Sequence, residues 1–147
     1  MNDTAQHSPQ PNPVTVEASR IIDAPVERLW AEVANFNNVA AWHPDVTESQ
    51  LERVDVEANI SKPGDIRVIK LRDGTVLRER LVEIRPETHH YVYSVLDGQL
   101  PLKEHISSVT MRVVDAHHTE VTWIATFVPV GARPTCSLRG YGQASLS

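Results

Sequence analysis

The chain has 147 residues, 41% of them hydrophobic and 22% charged, with a formal net charge of −5. That length suits one domain with a core of ordinary size, and the acidic balance argues against nonspecific binding to nucleic acid or an anionic membrane. The lone Cys136 leaves no internal disulfide framework and fits a reducing, cytoplasmic setting, while no apolar run is long enough to span a membrane.

Residues 1–13 carry Pro9, Pro11 and Pro13 among small polar residues, show none of the features of a signal peptide and read as a flexible leader. Residues 14–22 read as a first strand. Asp23-Ala24-Pro25 then opens a helix, with proline in the first turn and Asp23 available as a cap. Val26, Leu29, Trp30 and Val33 recur at helical spacing, and Asn35, Asn37 and Asn38 end that helix. A second short helix is expected over 39–43, stopped by Pro44.

From Val46 onward the pattern is β. Strands are expected over 46–54, 65–72, 75–84, 90–96, 105–114 and 120–128. Turn signals separate them at Lys62-Pro63-Gly64, Asp73-Gly74, Arg85-Pro86, Asp97-Gly98 and 115–118. Sequential strands with short connections imply an antiparallel sheet and an α+β fold. After Ala132 the pattern stops. Residues 133–142 hold two glycines, a proline and few apolar side chains, so 14–132 is the expected domain and 133–147 an irregular tail.

The hairpin from Asp65 to Glu83 holds the main functional hint. Taking Asp73-Gly74 as a two-residue type I′ turn sets Arg72 opposite Thr75, Lys70 opposite Leu77, Val68 opposite Glu79, Arg67 opposite Arg80 and Ile66 opposite Leu81. Alternation then puts Ile66, Val68, Lys70, Leu77, Glu79 and Leu81 on one face, and Arg67, Ile69, Leu71, Val76, Arg78 and Arg80 on a wet one. An inward Glu79 costs several kcal/mol unless paired or solvated. Either Lys70 neutralises it, or it is a polar group in a pocket that hydrogen-bonds a ligand or moves a proton.

Several segments together resemble a known superfamily. They include Ile22-Asp-Ala-Pro-Val-Glu-Arg-Leu-Trp30, Phe36, Trp42-His43-Pro44, Gly64-Asp-Ile-Arg67, Asp73-Gly74, Glu79-Arg-Leu81, Tyr93-Ser-Val95, Leu100-Pro-Leu102 and Val121-Thr-Trp123 with Phe127, Pro129 and Gly131. From about residue 14 to 132 the chain is similar to the SRPBCC superfamily of START-like, polyketide-cyclase-like and pollen-allergen-like domains. The order of motifs is closest to bacterial proteins similar to abscisic acid receptors.

The resemblance implies a helix-grip fold, with a curved antiparallel sheet wrapped around a long C-terminal helix and a cavity between them for lipids, polyketides or hormones. It places a Glu like Glu79 toward that cavity. It also implies that segments 72–76 and 97–105 correspond to the receptors' gate and latch loops, although an Asp-Gly turn is too short for a lid. No amphipathic run stands where the long helix is expected. A frameshifted or truncated end, or a partner or second copy covering the sheet, is therefore a further expectation. Loss of such a helix forfeits on the order of 10 kcal/mol of apolar burial.

By alternation Tyr91, Tyr93 and Val95 face inward, as do His105, Ser107, Val109 and Met111 if Arg112 faces water. The expected ligand-binding set is therefore Lys70, Glu79, Tyr91, Tyr93, His105, Ser107, Val109 and Met111, with Glu79 the candidate catalytic residue. Trp123 and Phe127 share a face with either orientation open. His89-His90 and His117-His118 do not make a metal site, because neighbours on a strand point to opposite faces. No phosphate loop, nucleophile elbow or cysteine cluster is present in the sequence, and no cofactor is expected. Three functions follow: binding of a small hydrophobic molecule, a polyketide cyclase/aromatase-like reaction using Glu79 in proton transfer, or a truncated, partner-dependent product.

Overall fold

The computed structural model describes residues 12–52, 61–98 and 101–130. It shows strand β1 (Val14–Ile22), helix α1 (Val26–Val33), a 3-10 turn at Phe36–Asn38, helix α2 (Val39–Trp42) and strands β2 (Val46–Leu51) and β3 (Ile66–Leu71). Strands β4 (Val76–Arg85), β5 (His90–Gly98), β6 (Leu102–Asp115) and β7 (His118–Pro129) follow. All pair antiparallel in one seven-stranded sheet with the order β1-β7-β6-β5-β4-β3-β2. This is the α+β layout expected from the strand and turn pattern. The leader up to residue 11, Cys136 and the tail from residue 131 lie outside the described residues. The stretch after β7, where the resemblance places a long helix, lies outside the described residues.

The core lies on one face of the sheet and is closed by α1 and the turns after it. Ile69, Leu71, Leu77, Leu81, Tyr91, Tyr93, Val109, Met111, Val121, Trp123 and Ala125 line it, and Val26, Phe36 and Val39 pack onto them. Trp123 and Phe127 are both buried on this inner face, which settles the side left open by alternation. Thr119 Oγ1 donates to the Ala24 carbonyl at 2.8 Å and ties the start of β7 to the turn entering α1. That turn is not capped by Asp23. Pro25 holds the cap position, and its carbonyl accepts the first helical amides of Arg28 and Leu29.

The β3–β4 hairpin corrects the expected register. Gly74 N–H donates to the Leu71 carbonyl at 2.9 Å, and Leu71 N–H donates to the Thr75 carbonyl at 2.7 Å. Gly74 sits at φ +94°, and Asp73 Oδ1 accepts from Thr75 N–H at 2.9 Å. This is a three-residue loop, a type I turn followed by a left-handed glycine, rather than a two-residue type I′ turn. One extra loop residue slips the pairing by one, so Arg67 lies opposite Glu79 and Ile69 opposite Leu77. A slip of one turns every β3 side chain over. Arg67, Ile69 and Leu71 are buried with Leu77, Glu79 and Leu81, whereas Lys70 is exposed on the outer face.

Candidate functional site: a polar line across an aromatic sheet face

The inner face carries a short series of polar side chains set among aromatic and aliphatic ones. At its β3–β4 end is a buried ion pair. Arg67 is 2% exposed and Glu79 0%. Arg67 Nη2 lies 2.7 Å and Nε 2.9 Å from Glu79 Oε1, so two N–H groups of one guanidinium converge on one carboxylate oxygen. Arg67 Nη1 also donates to the Phe36 carbonyl at 2.6 Å, and the guanidinium stacks 3.9 Å above the Phe36 ring. Phe36 is held for this task by Ser61. The Ser61 hydroxyl donates to the Ala34 carbonyl at 2.6 Å and accepts from Phe36 N–H at 2.8 Å.

The aromatic part of the wall comes from β5 and β7. Tyr91 and Tyr93 lie 5.8 Å apart in a stacked arrangement, and Trp30 of α1 meets Tyr91 edge-on at 6.4 Å. Full burial pushes the Tyr91 phenol far above its ordinary range, despite the opposing pull of Arg67. It therefore stays a neutral hydroxyl at any physiological pH. Trp123 Nε1 donates to the Tyr93 hydroxyl at 3.0 Å.

The third polar element comes from β6. Between Lys103 and Ile106 the β6–β7 register shifts, and Glu104 takes a left-handed backbone conformation at φ 55°. Such bulges re-aim the residues beside them. His105 follows directly and is buried, with its ring 5.8 Å from that of Tyr93. His105 Nδ1 accepts the Val95 backbone N–H at 3.0 Å, and Nε2 lies 2.7 Å from Ser107 Oγ. Burial holds the imidazole below its ordinary pKa, with the Glu79 charge acting in the opposite sense.

Of the expected inward residues, Glu79, Tyr91, Tyr93, His105, Ser107, Val109 and Met111 are buried on this face, whereas Val95 is only half-buried. Lys70 is not among them, and the expected pairing of Lys70 with Glu79 is replaced by Arg67. Arg67, expected on the wet strip with Arg78 and Arg80, turns inward, so that strip is also divided. Arg78 stays outside, bound to Glu52 and Asp97 at 2.7 Å each, and Arg80 is exposed. A sequence signal for the true partner existed. The type I′ register sets Arg67 against Arg80, like charges face to face, while a slip of one sets it against Glu79.

Elsewhere, a recess of about 280 Å³ lies beside α2, lined by Ala40, Ala41, Trp42, His43, Pro44, Val46 and Arg72. His118 contacts Asp115 at 2.8 Å and Asp23 at 3.5 Å on the surface. Among the described residues, no group of three His, Cys, Asp or Glu side chains is placed to hold a metal, and no helix is long and apolar enough to cross a membrane.

A family model described as polyketide cyclase/dehydrase and lipid transport matches residues 13–139. Curated proteins give no match. Among solved structures, a solution structure from Thermobifida fusca is 30% identical, covering 78% of this chain and 74% of its own, at a TM-score of 0.66. The Zhui aromatase/cyclase from Streptomyces sp. R1128 is 15% identical over 83% of this chain and 72% of its own, at a TM-score of 0.68. A START superfamily protein from Mycobacterium smegmatis is 10% identical over 90% and 88%, at a TM-score of 0.68. The last two likenesses are of fold, and they match the helix-grip arrangement of a curved antiparallel sheet with two short helices after its first strand.

Proposed function

The chain belongs to the polyketide cyclase/dehydrase and lipid-transport family, within the SRPBCC superfamily, and on that footing we propose that it binds a small hydrophobic molecule of lipid, polyketide or hormone-like character against the inner face of its sheet. The observation that carries this reading is the pairing of Glu79 with Arg67. A general acid or base must be able to give or take a proton at the reacting atom. Here the carboxylate is fully buried and receives two charge-assisted hydrogen bonds from one guanidinium, which is itself anchored to the Phe36 carbonyl. Such an arrangement suits a fixed polar anchor in an apolar wall, the composition of a ligand pocket. Tyr91, Tyr93, His105, Ser107, Val109 and Met111 are the proposed contacts, with the Arg67–Glu79 pair as the polar end.

Ring closure of the cyclase/aromatase kind is the second reading. The observation favouring it is His105, whose pKa burial lowers toward the neutral form. Both of its ring nitrogens are engaged, however, one with the Val95 amide and one with Ser107, which leaves it a poor proton shuttle. Native mass spectrometry of the purified chain tests the first reading. It is expected to release a copurifying neutral, apolar compound, or to show one-to-one complexes when such compounds are added. Glu79→Gln separates the two readings: a binder keeps most of its affinity, whereas a cyclase loses turnover while still holding substrate. A chain that takes up no apolar compound overturns the proposal.

A further inference from the structure

We propose that the ligand of this site presents a carbonyl oxygen to Ser107, whose hydroxyl is committed as an outward donor by His105. The inference rests on the binding reading above and names the chemistry that reading leaves open.

The direction of the hydrogen bonds follows from three contacts. A backbone amide can only donate, so the Val95 N–H at 3.0 Å leaves His105 Nδ1 with its lone pair and no proton. A neutral imidazole carries its single proton on the other nitrogen, and burial favours the neutral form here. His105 Nε2 therefore bears the hydrogen and donates it to Ser107 Oγ at 2.7 Å. Ser107 acts as acceptor in that contact, so its own hydroxyl proton is turned away from His105.

Among the described residues, that proton meets no acceptor. Ser107 is 1% exposed, and among the described residues no second hydrogen-bond partner stands within reach of its oxygen. A buried donor left without an acceptor is costly, and a bound group that accepts recovers the loss. Ser107 lies on the inner face between Tyr93 of β5 and Ala125 of β7, its partners across the sheet. An acceptor arriving there meets aromatic surface on one side and a single methyl on the other. A carbonyl oxygen meets the requirement because it only accepts. A hydrocarbon offers nothing to the proton.

The probes are acetylnaphthalene and ethylnaphthalene, which match in shape and differ in the carbonyl. Binding is read by fluorescence titration of the full chain, and the carbonyl stretch of bound acetylnaphthalene by infrared difference spectroscopy. The wild type is expected to bind the ketone roughly three- to tenfold more tightly than the hydrocarbon, the range of one net hydrogen bond. The stretch should move to lower frequency on binding. Ser107→Ala should erase both the preference and the shift, and Ser107→Thr should restore them.

His105 is a positioning residue, and its tautomer is read directly by long-range ¹H–¹⁵N correlation, where the Nε2–H form is expected. Equal affinity for the two probes, an unshifted carbonyl, or the Nδ1–H tautomer would overturn the inference while leaving the binding reading in place. Binding of neither probe would remove the binding reading and the inference with it.

Discussion

Replacing Arg67 with methionine is expected to destabilise the fold far more than replacing any surface arginine. The substitution keeps a long apolar stem but removes the charge, both hydrogen bonds to Glu79 Oε1, the bond to the Phe36 carbonyl and the stacking over the Phe36 ring. What remains is a carboxylate at 0% exposure without the Arg67 charge. Breaking one side of a buried ion pair costs roughly 3–5 kcal/mol, and the orphaned carbonyl adds about 1 kcal/mol. Against a typical domain stability of about 5–15 kcal/mol, this removes about a quarter or more of the total.

Urea unfolding at neutral pH, followed by tryptophan fluorescence and far-ultraviolet circular dichroism, measures the loss. The double variant Arg67→Met/Glu79→Leu removes both charges and should recover most of it, since an apolar replacement of a whole buried pair is often neutral or stabilising. Strong non-additivity between the two sites is therefore part of the expectation. If Arg67→Met stays within about 1 kcal/mol of the wild type, the range of an exposed ion pair, the pair is not a buried anchor and the reasoning fails.

Two histidines should titrate with opposite signs. For His105 the folded pKa is lowered by burial. The unfolded state then binds more protons, and the contribution to stability is present above about pH 6.5 and lost as pH falls from there through the folded value. For His118 the folded pKa is raised, first by its hydrogen bond to Asp115. That contribution is present below about pH 6.5, disappears as pH rises through the folded value, and weakens with salt. Imidazole proton NMR titration checks both, and a shared midpoint would contradict them. Glu104→Gly should raise stability by up to about 1 kcal/mol, because glycine adopts the left-handed conformation without a Cβ penalty, whereas Glu104→Val should lower it; thermal melts decide the sign. Gly98→Ala should destabilise by about 1–3 kcal/mol, because a Cβ there comes within 2.6 Å of a Leu77 methyl and 2.9 Å of the Val76 carbonyl. An unchanged melting temperature would mean the β4–β5 end is looser than its packing implies.

The sequence exposed the sheet more fully than the site. Strand β1 and the inward sets of β4, β5 and β6 follow from strict alternation, which a half-buried strand enforces. The inward Glu79 was legible for the same reason. Its partner was not, because Asp73-Gly74 is compatible with both a two-residue and a three-residue loop, and that single residue decides whether Lys70 or Arg67 meets the carboxylate. Charge complementarity across the strands, Arg67 against Glu79 rather than against Arg80, was the cue that distinguishes the two registers. The His105–Ser107 contact was half legible: alternation places both inward, but the direction of the hydrogen bond depends on the Val95 amide, which joins them only through tertiary folding. Trp30 could be read as core from its helical spacing, but nothing in the sequence shows that it covers Tyr91 or that Phe36 stacks on Arg67.

The most direct measurement is a residue-resolved NMR titration of the chain with acetylnaphthalene. Saturable shifts are expected at the Trp123 indole N–H, the Tyr93 ring and the backbone of His105 to Met111, with the outward-facing Thr122 and Thr126 side chains unmoved. Saturable shifts centred instead on Trp42 and Arg72, at the recess beside α2, or no saturable shifts at all, would contradict binding at the inner face.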